Sequence, residues 1–131
     1  MIVDSSALVA IALKEPGWEA LLRKIAEADV VAIGAPTLAE TGAVLTARLG
    51  PNAPRLLRSL VEEAGIEVVP FVAEHARAAM EAFARYGKGR HPAALNFGDC
   101  LTYAVAKLAR QPLLFVGADF SKTDLPGAAD A

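Results

Sequence analysis

The stretch Val30-Val31-Ala32-Ile33-Gly34-Ala35-Pro36-Thr37 decides the fold. From Val30 to Ala35 the run is continuously apolar, without the alternation of a strand that has one wet face. It suits a strand buried on both faces. Pro36 and Thr37 then open a helix, proline being suited to a first turn. That helix runs to about Leu49, where Gly50-Pro51 stops it.

The same punctuation repeats on either side. Toward the N-terminus, Trp18, Leu21, Leu22 and Ile25 share one face of a helix from Trp18 to about Ala28. Glu15-Pro16-Gly17 separates it from a helix capped by Ser5 and Ser6 and ending near Leu13. Ahead of that, Ile2–Val3 is a short β-branched run ending at Asp4. Toward the C-terminus, the pattern predicts a helix over 53–64, a strand over 66–70 and a helix over 74–86. A glycine- and cation-rich loop over 87–92, a helix over 96–109 and a strand over 113–116 follow. Beyond Leu125 the sequence is small and polar and is expected to fray. No internal repeat, linker or low-complexity block interrupts the series. The alternation predicts a single α/β domain over residues 1–131, with a mainly parallel sheet.

Composition agrees. The 131 residues are 54% hydrophobic, which argues against disorder. The net charge of −2 confines any basic nucleic-acid footprint to a local patch. Cys100 is the single cysteine, which excludes an internal disulfide and a cysteine-rich zinc site. Its apolar helical setting reads as a small buried hydrophobe. The segment Ala7–Leu13 has the look of a signal-peptide core, but no basic residue precedes it and Asp4 stands where one belongs. No apolar run approaches the ~20 residues that span a bilayer. A soluble, cytoplasmic protein without a membrane partner is expected.

Four acids fall at related places. In parallel sheets ligands bind beyond the carboxyl ends of the strands. Asp4 directly follows the first strand, and Glu40 lies in the first turn or so of the helix after the second. Asp99 begins a helix, and Asp119 follows the last strand. A parallel sheet brings all four toward one edge. Clustered carboxylates repel unless a cation joins them. An all-oxygen set suits a hard ion such as Mg²⁺ or Mn²⁺. One or two such ions activate a water for attack on a phosphodiester. Taken singly, each acid reads first as an ordinary structural partner of a helix N-terminus and only second as catalytic.

The motifs around these acids resemble a known family. Met1-Ile2-Val3-Asp4-Ser5-Ser6-Ala7, Pro36-Thr37-Leu38-Ala39-Glu40, Leu95-Asn96-Phe97-Gly98-Asp99-Cys100 and Leu114-Phe115-Val116-Gly117-Ala118-Asp119-Phe120 resemble, in order, the four motifs of PIN-domain proteins, specifically VapC-type toxins. The resemblance implies a PIN-like parallel sheet of four to five strands flanked by helices on both faces. It implies a Mg²⁺- or Mn²⁺-dependent endoribonuclease, a homodimer and a cognate VapB-type antitoxin that inserts into the active-site groove. Asp4, Glu40, Asp99 and Asp119 become the catalytic metal site, with Asp4 and Asp99 as direct ligands. Ser6 and Thr37 are implied to hold metal-bound water or orient a carboxylate, and Asn96 to contact substrate. All three also read as caps. Ala118 departs from the family's usual Asn or Asp.

RNA binding needs cations beside the acids. Arg85, Lys88, Arg90 and His91 precede the Asp99 helix, Lys122 follows Asp119, and Tyr86 is placed to stack on a base. The alternative is a solvated loop. His91 and His75 do not read as metal ligands, His75 being a helix-surface residue. Arg48, Arg55 and Arg58 flank Gly50-Pro51. Leu56, Leu57, Leu60 and Val61 supply core packing and some partner surface. Three other functions compete with a toxin. One is a PIN domain in RNA processing or binding outside a toxin pair. Another is a metal phosphohydrolase with a nucleophilic Asp, disfavoured because Ser6 stands where a second Asp belongs. The third is a structural protein that binds no metal.

Overall fold

A computed structural model describes residues 1–127. Its four strands are β1 (Ile2–Val3), β2 (Ala32–Gly34), β3 (Glu67–Val69) and β4 (Leu113–Leu114). They pair in the order β3-β2-β1-β4. Every pairing is parallel, with Ile2 opposite both Ala32 and Leu113, and Ile33 opposite Val68. Six α-helices cover the sheet: α1 (Ser5–Ala12), α2 (Trp18–Glu27), α3 (Ala35–Leu49), α4 (Ala53–Glu63), α5 (Ala73–Tyr86) and α6 (Phe97–Ala109).

The period of two along each strand separates two cores. Val3, Ile33 and Leu114 point into one, with Leu8 and Ile11 of α1, Leu21 and Ile25 of α2, Leu45 of α3, and Leu57 and Val61 of α4. Ile2, Ala32 and Leu113 point into the other, with Ala79 and Ala82 of α5 and Tyr103, Ala104 and Val105 of α6. The expected fold, with helices on both faces, is therefore present. Both sides of β1, β2 and β4 are dry, which is why they read as apolar runs rather than alternations.

Several boundaries shift for physical reasons. β2 begins only at Ala32, and Val30 ahead of it is exposed. β3 is at one edge of the sheet, and Val68 is exposed there. β4 ends at Leu114, since the Val116 amide leaves the ladder to bond Ser6 Oγ at 3.0 Å. Ser5 and Ser6 do not cap α1. Asp4 does, accepting from the Ser6 amide at 3.1 Å. Glu40 is in the second turn of α3, not the first.

The expected fraying after Leu125 is also corrected in part. Leu113 N–H donates to Pro126 O at 3.1 Å, and Gly127 bridges Leu113. The remainder of that tail lies outside the described residues. Asp124 anchors the approach to it. Its carboxylate takes hydrogen bonds from Tyr103 Oη and Lys107 Nζ, each at 2.6 Å. Burial pushes the Asp124 carboxyl up, but those bonds and the charges of Lys107 and Arg85 outweigh it and hold it below its usual range. No helix among the described residues is long and apolar enough to cross a membrane.

Candidate metal centre

The strand order creates the site. The chain builds outward from β1 to β2 and β3, then returns to place β4 on the other side of β1. Such a reversal opens a crevice beyond the carboxyl ends of the two strands, where α/β proteins bind ligands. Asp4 leaves β1 at that point, and its amide bonds Leu114 O of β4 at 2.9 Å. Asp119 follows β4 and precedes a short 3₁₀ turn, Phe120–Lys122. Glu40 comes from α3 and Asp99 from the first turn of α6.

Asp4 is 4% exposed, and a buried carboxylate requires donors. Oδ2 accepts from the Ser6 amide and, at 2.6 Å, from Ser6 Oγ. Oδ1 accepts from Thr102 Oγ1 at 2.8 Å. Thr102 Oγ1 lies 3.0 Å from Thr37 Oγ1. Because Ser6 Oγ also accepts the Val116 amide, one serine ties β1, α1 and the end of β4 together. Ser6 thus orients a carboxylate directly, whereas Thr37 reaches Asp4 only through Thr102.

Asp99 occupies the third position of α6. Its amide donates to Asn96 Oδ1 at 2.8 Å, and its Oδ2 accepts the Asn96 amide at 3.0 Å. This reciprocal box fixes the Asp99 backbone and gives Asn96 its capping role. The Asp99 carboxyl is pushed up to about 6. Burial is the main cause, opposed by the Asn96 amide and reinforced by the negative charges of Asp4, Asp119 and Glu40. Asp99 therefore senses all three other acids.

No ion pair to any of the four is found among the described residues. The cluster is negative, oxygen-only and short of a compensating cation, which fits a hard divalent ion. No group of three or more acids, histidines or cysteines among the described residues stands in ready metal-binding geometry. Asp4 Oδ2 and Asp99 Oδ2 each accept a backbone amide at the start of a helix.

Thr102 is a residue beside these acids that the sequence pattern does not single out. Its only sequence signal is a polar side chain three residues after Asp99, on the same face of α6. Gly98 is a second. A Cβ there would collide with Glu40 Oε2, so the Glu40 carboxyl rests on the first turn of α6.

The candidate RNA contacts divide. Lys88 and Arg90 are exposed on the loop leading to Asn96. That loop is closed by Lys88 N–H to Leu95 O at 2.9 Å and Arg90 N–H to Gly87 O at 2.9 Å. Arg85 is exposed but lies over the Tyr86 ring at 4.8 Å and 3.9 Å from Asp124. Lys122 is exposed beside Asp119. Tyr86 does not present a stacking face. It is buried at 4% exposure, packed on His91 and Tyr103, and its hydroxyl accepts the Asp124 amide at 3.2 Å. His91 Nδ1 accepts from the Ala93 amide. His75 is more than a surface residue, because its Nδ1 caps α5 by accepting the Val72 amide at 3.0 Å.

Arg48, Arg55 and Arg58 are exposed. On α4, Leu57 and Val61 are buried, Leu60 is half-buried and Leu56 faces outward. Cys100 is buried, and burial together with the Asp99 charge pushes its thiol up to about 11. Beside it, between α5 and α6, lies an apolar cleft of about 570 Å³ lined by Phe71, Met80, Phe83, Phe97 and Leu101 among others. Phe97 is 77% exposed and Met80 66%.

The model of the PIN domain family matches residues 1–125. The chain is 54% identical over 126 residues to ribonuclease VapC36 of Mycobacterium tuberculosis, covering 95% of this chain and 91% of that one. It is 43% identical over 125 residues to ribonuclease VapC of Mycolicibacterium smegmatis, covering 95% and 97%. Among solved structures, the fold is similar to VapC20 of Mycobacterium tuberculosis, a sarcin-ricin loop cleaving toxin. The TM-score is 0.78 at 21% identity, with 95% of each chain covered. It is also similar to VapBC2 from Rickettsia felis bound to a DNA fragment from their promoter, with a TM-score of 0.72 at 17% identity, covering 95% and 94%.

Proposed function

The chain belongs to the PIN-domain family, and from that premise we propose that it is a VapC-type toxin, an endoribonuclease that hydrolyses RNA phosphodiester bonds with Mg²⁺ or Mn²⁺. The observation that carries the metal reading is Asp99, whose carboxyl is raised by burial and by the charges of Asp4, Asp119 and Glu40, with no cation paired to them among the described residues. Asp4 and Asp99 are assigned as direct ligands, with Glu40 and Asp119 completing the set. When bound, the divalent ion supplies Lewis-acid polarisation of the phosphate and activation of the attacking water. Ser6 and Thr102 hold the Asp4 carboxylate at a set angle, and Asn96 holds the first turn of α6. Lys88 and Arg90 contact backbone phosphates. Arg85, partly committed to Asp124 and Tyr86, contributes least of the three.

The experiment is cleavage of a mixed RNA by purified, antitoxin-free protein. After chelation, activity is expected to vanish and to return with Mg²⁺ or Mn²⁺. Cleavage that persists in excess chelator would remove the metal from the reading. RNA processing outside a toxin pair is the less favoured role, because the similar solved structures are toxins and toxin–antitoxin assemblies.

The partner is assigned to the cleft between α5 and α6. Exposed aromatic and Met side chains in a continuous patch mark a contact surface. Phe97 and Asp99 both belong to the first turn of α6, so the cleft and the acids share one end of that helix. The occupant is an apolar segment of a VapB-type antitoxin. Met80→Glu is expected to weaken antitoxin binding by at least about tenfold while RNA cleavage by the free toxin stays unchanged. Unaltered antitoxin affinity in that variant would rule the cleft out.

A further inference from the structure

Resting on the metal-dependent reading above, we propose that Thr102, backed by Thr37, is a positioning residue that leaves the Asp4 carboxylate one open acceptor site, on Oδ1. An ionised carboxylate has about four acceptor sites, two per oxygen. Ser6 fills both on Oδ2 with its amide at 3.1 Å and its hydroxyl at 2.6 Å. Thr102 Oγ1 fills one on Oδ1 at 2.8 Å. Among the described residues nothing takes the fourth. Asp4 is therefore built to offer a cation one oxygen rather than two.

The direction of the hydrogen bonds follows. A threonine hydroxyl has one proton. Thr102 gives its proton to Asp4, so at 3.0 Å it accepts from Thr37. Thr41 in turn donates to Thr37 O at 2.8 Å, which ties that part of α3 to the relay. Thr37, Thr41 and Thr102 are each 2% exposed or less, so no bulk water stands ready to replace a missing hydroxyl. The carboxyl torsion of Asp is intrinsically soft, with a broad two-fold profile. Ser6 alone, gripping one oxygen, leaves that torsion free to swing, and Thr102 fixes it. Groups that orient a metal ligand in this way commonly matter for affinity as much as for activity.

The test is Mn²⁺ binding by titration calorimetry in the absence of RNA, with RNA cleavage kinetics and a thermal melt beside it. Thr102→Val keeps the branched shape and removes the hydroxyl. It is expected to weaken Mn²⁺ binding by roughly 10- to 100-fold, with kcat reduced and KM for RNA little changed. Thr102→Ser is expected to restore binding, a rescue that a packing role would not give. Thr37→Val removes only the outer link and is expected to weaken binding less, in the same direction. It carries the test if Thr102→Val does not fold. A folded Thr102→Val that binds Mn²⁺ as tightly as wild type overturns the positioning role and leaves the nuclease reading standing. Wild type that binds no Mn²⁺ overturns both.

Discussion

Asp4→Asn is expected to lower metal-dependent RNA cleavage by at least about 100-fold while the protein stays folded. The substitution preserves size and shape and removes one charge. A bound divalent ion stabilises charge developing on phosphate by several kcal/mol, and each ~1.4 kcal/mol is tenfold in rate. Losing a direct carboxylate ligand forfeits much of that. The fold should tolerate the change, because two effects oppose each other. The new amide turns one oxygen into a donor that faces Ser6 or Thr102, both of which donate now. Against that, a negative charge that raises Asp99 disappears. The Asp99 carboxyl should then titrate closer to the ordinary range of an aspartate, which NMR titration of the variant would detect. Asp4→Asn protein that melts like wild type and cleaves RNA within threefold of it would sink the assignment of Asp4 as a ligand.

Much of this site was legible in the sequence because its parts are local. Asp4 ends a β-branched run, Asn96 precedes a helix three residues before Asp99, and Pro36 opens α3. Each is a short-range rule with a physical cause. The parallel sheet was legible too, from the unbroken apolar run of Val30–Ala35. What stayed hidden depends on separation along the chain. Thr102 reaches Asp4 across 98 positions, and a threonine within an apolar helix gives no sign of its partner. Tyr86 was misread because a tyrosine beside a basic loop has the composition of a nucleic-acid contact. Only the packing of α5 on α6 shows its ring enclosed by His91 and Tyr103. The cap of α1 was misassigned among three adjacent cap-forming residues. Asp4 takes that role since it is the last residue before the helical backbone, which frees the Ser6 hydroxyl to bridge Asp4 and Val116. The strand order, and with it the crevice between β1 and β4, is a property of pairing that no local pattern encodes.

Gly98→Ala is expected to separate activity from stability more sharply than any other single change. Gly98 is the second residue of α6, where alanine is the better helix former by up to ~1 kcal/mol. On propensity alone the variant should be as stable as wild type or slightly more so. The added methyl, however, would land on Glu40 Oε2 and within 3.0 Å of the Glu40 carboxyl carbon. That collision is with the far end of a flexible side chain, so it is relieved by moving the carboxylate rather than the backbone. The contrast is Gly34, where an added Cβ would meet Val105 Cγ2 at 2.8 Å inside the core and has no such escape. Moving Glu40 by about an ångström removes it from the set of acids around Asp99. Misplacement on that scale can cost about 100-fold in rate. Gly98→Ala is therefore expected to hold or raise its melting temperature and to lose RNA cleavage by about that factor. Glu40→Gln should lose activity to a similar degree, and combining the two should add little, because both act through one carboxylate. Full activity in Gly98→Ala would mean that the position of Glu40 over the first turn of α6 does not matter to the chemistry. Multiplicative losses in the double variant would mean that Gly98 acts on something other than Glu40.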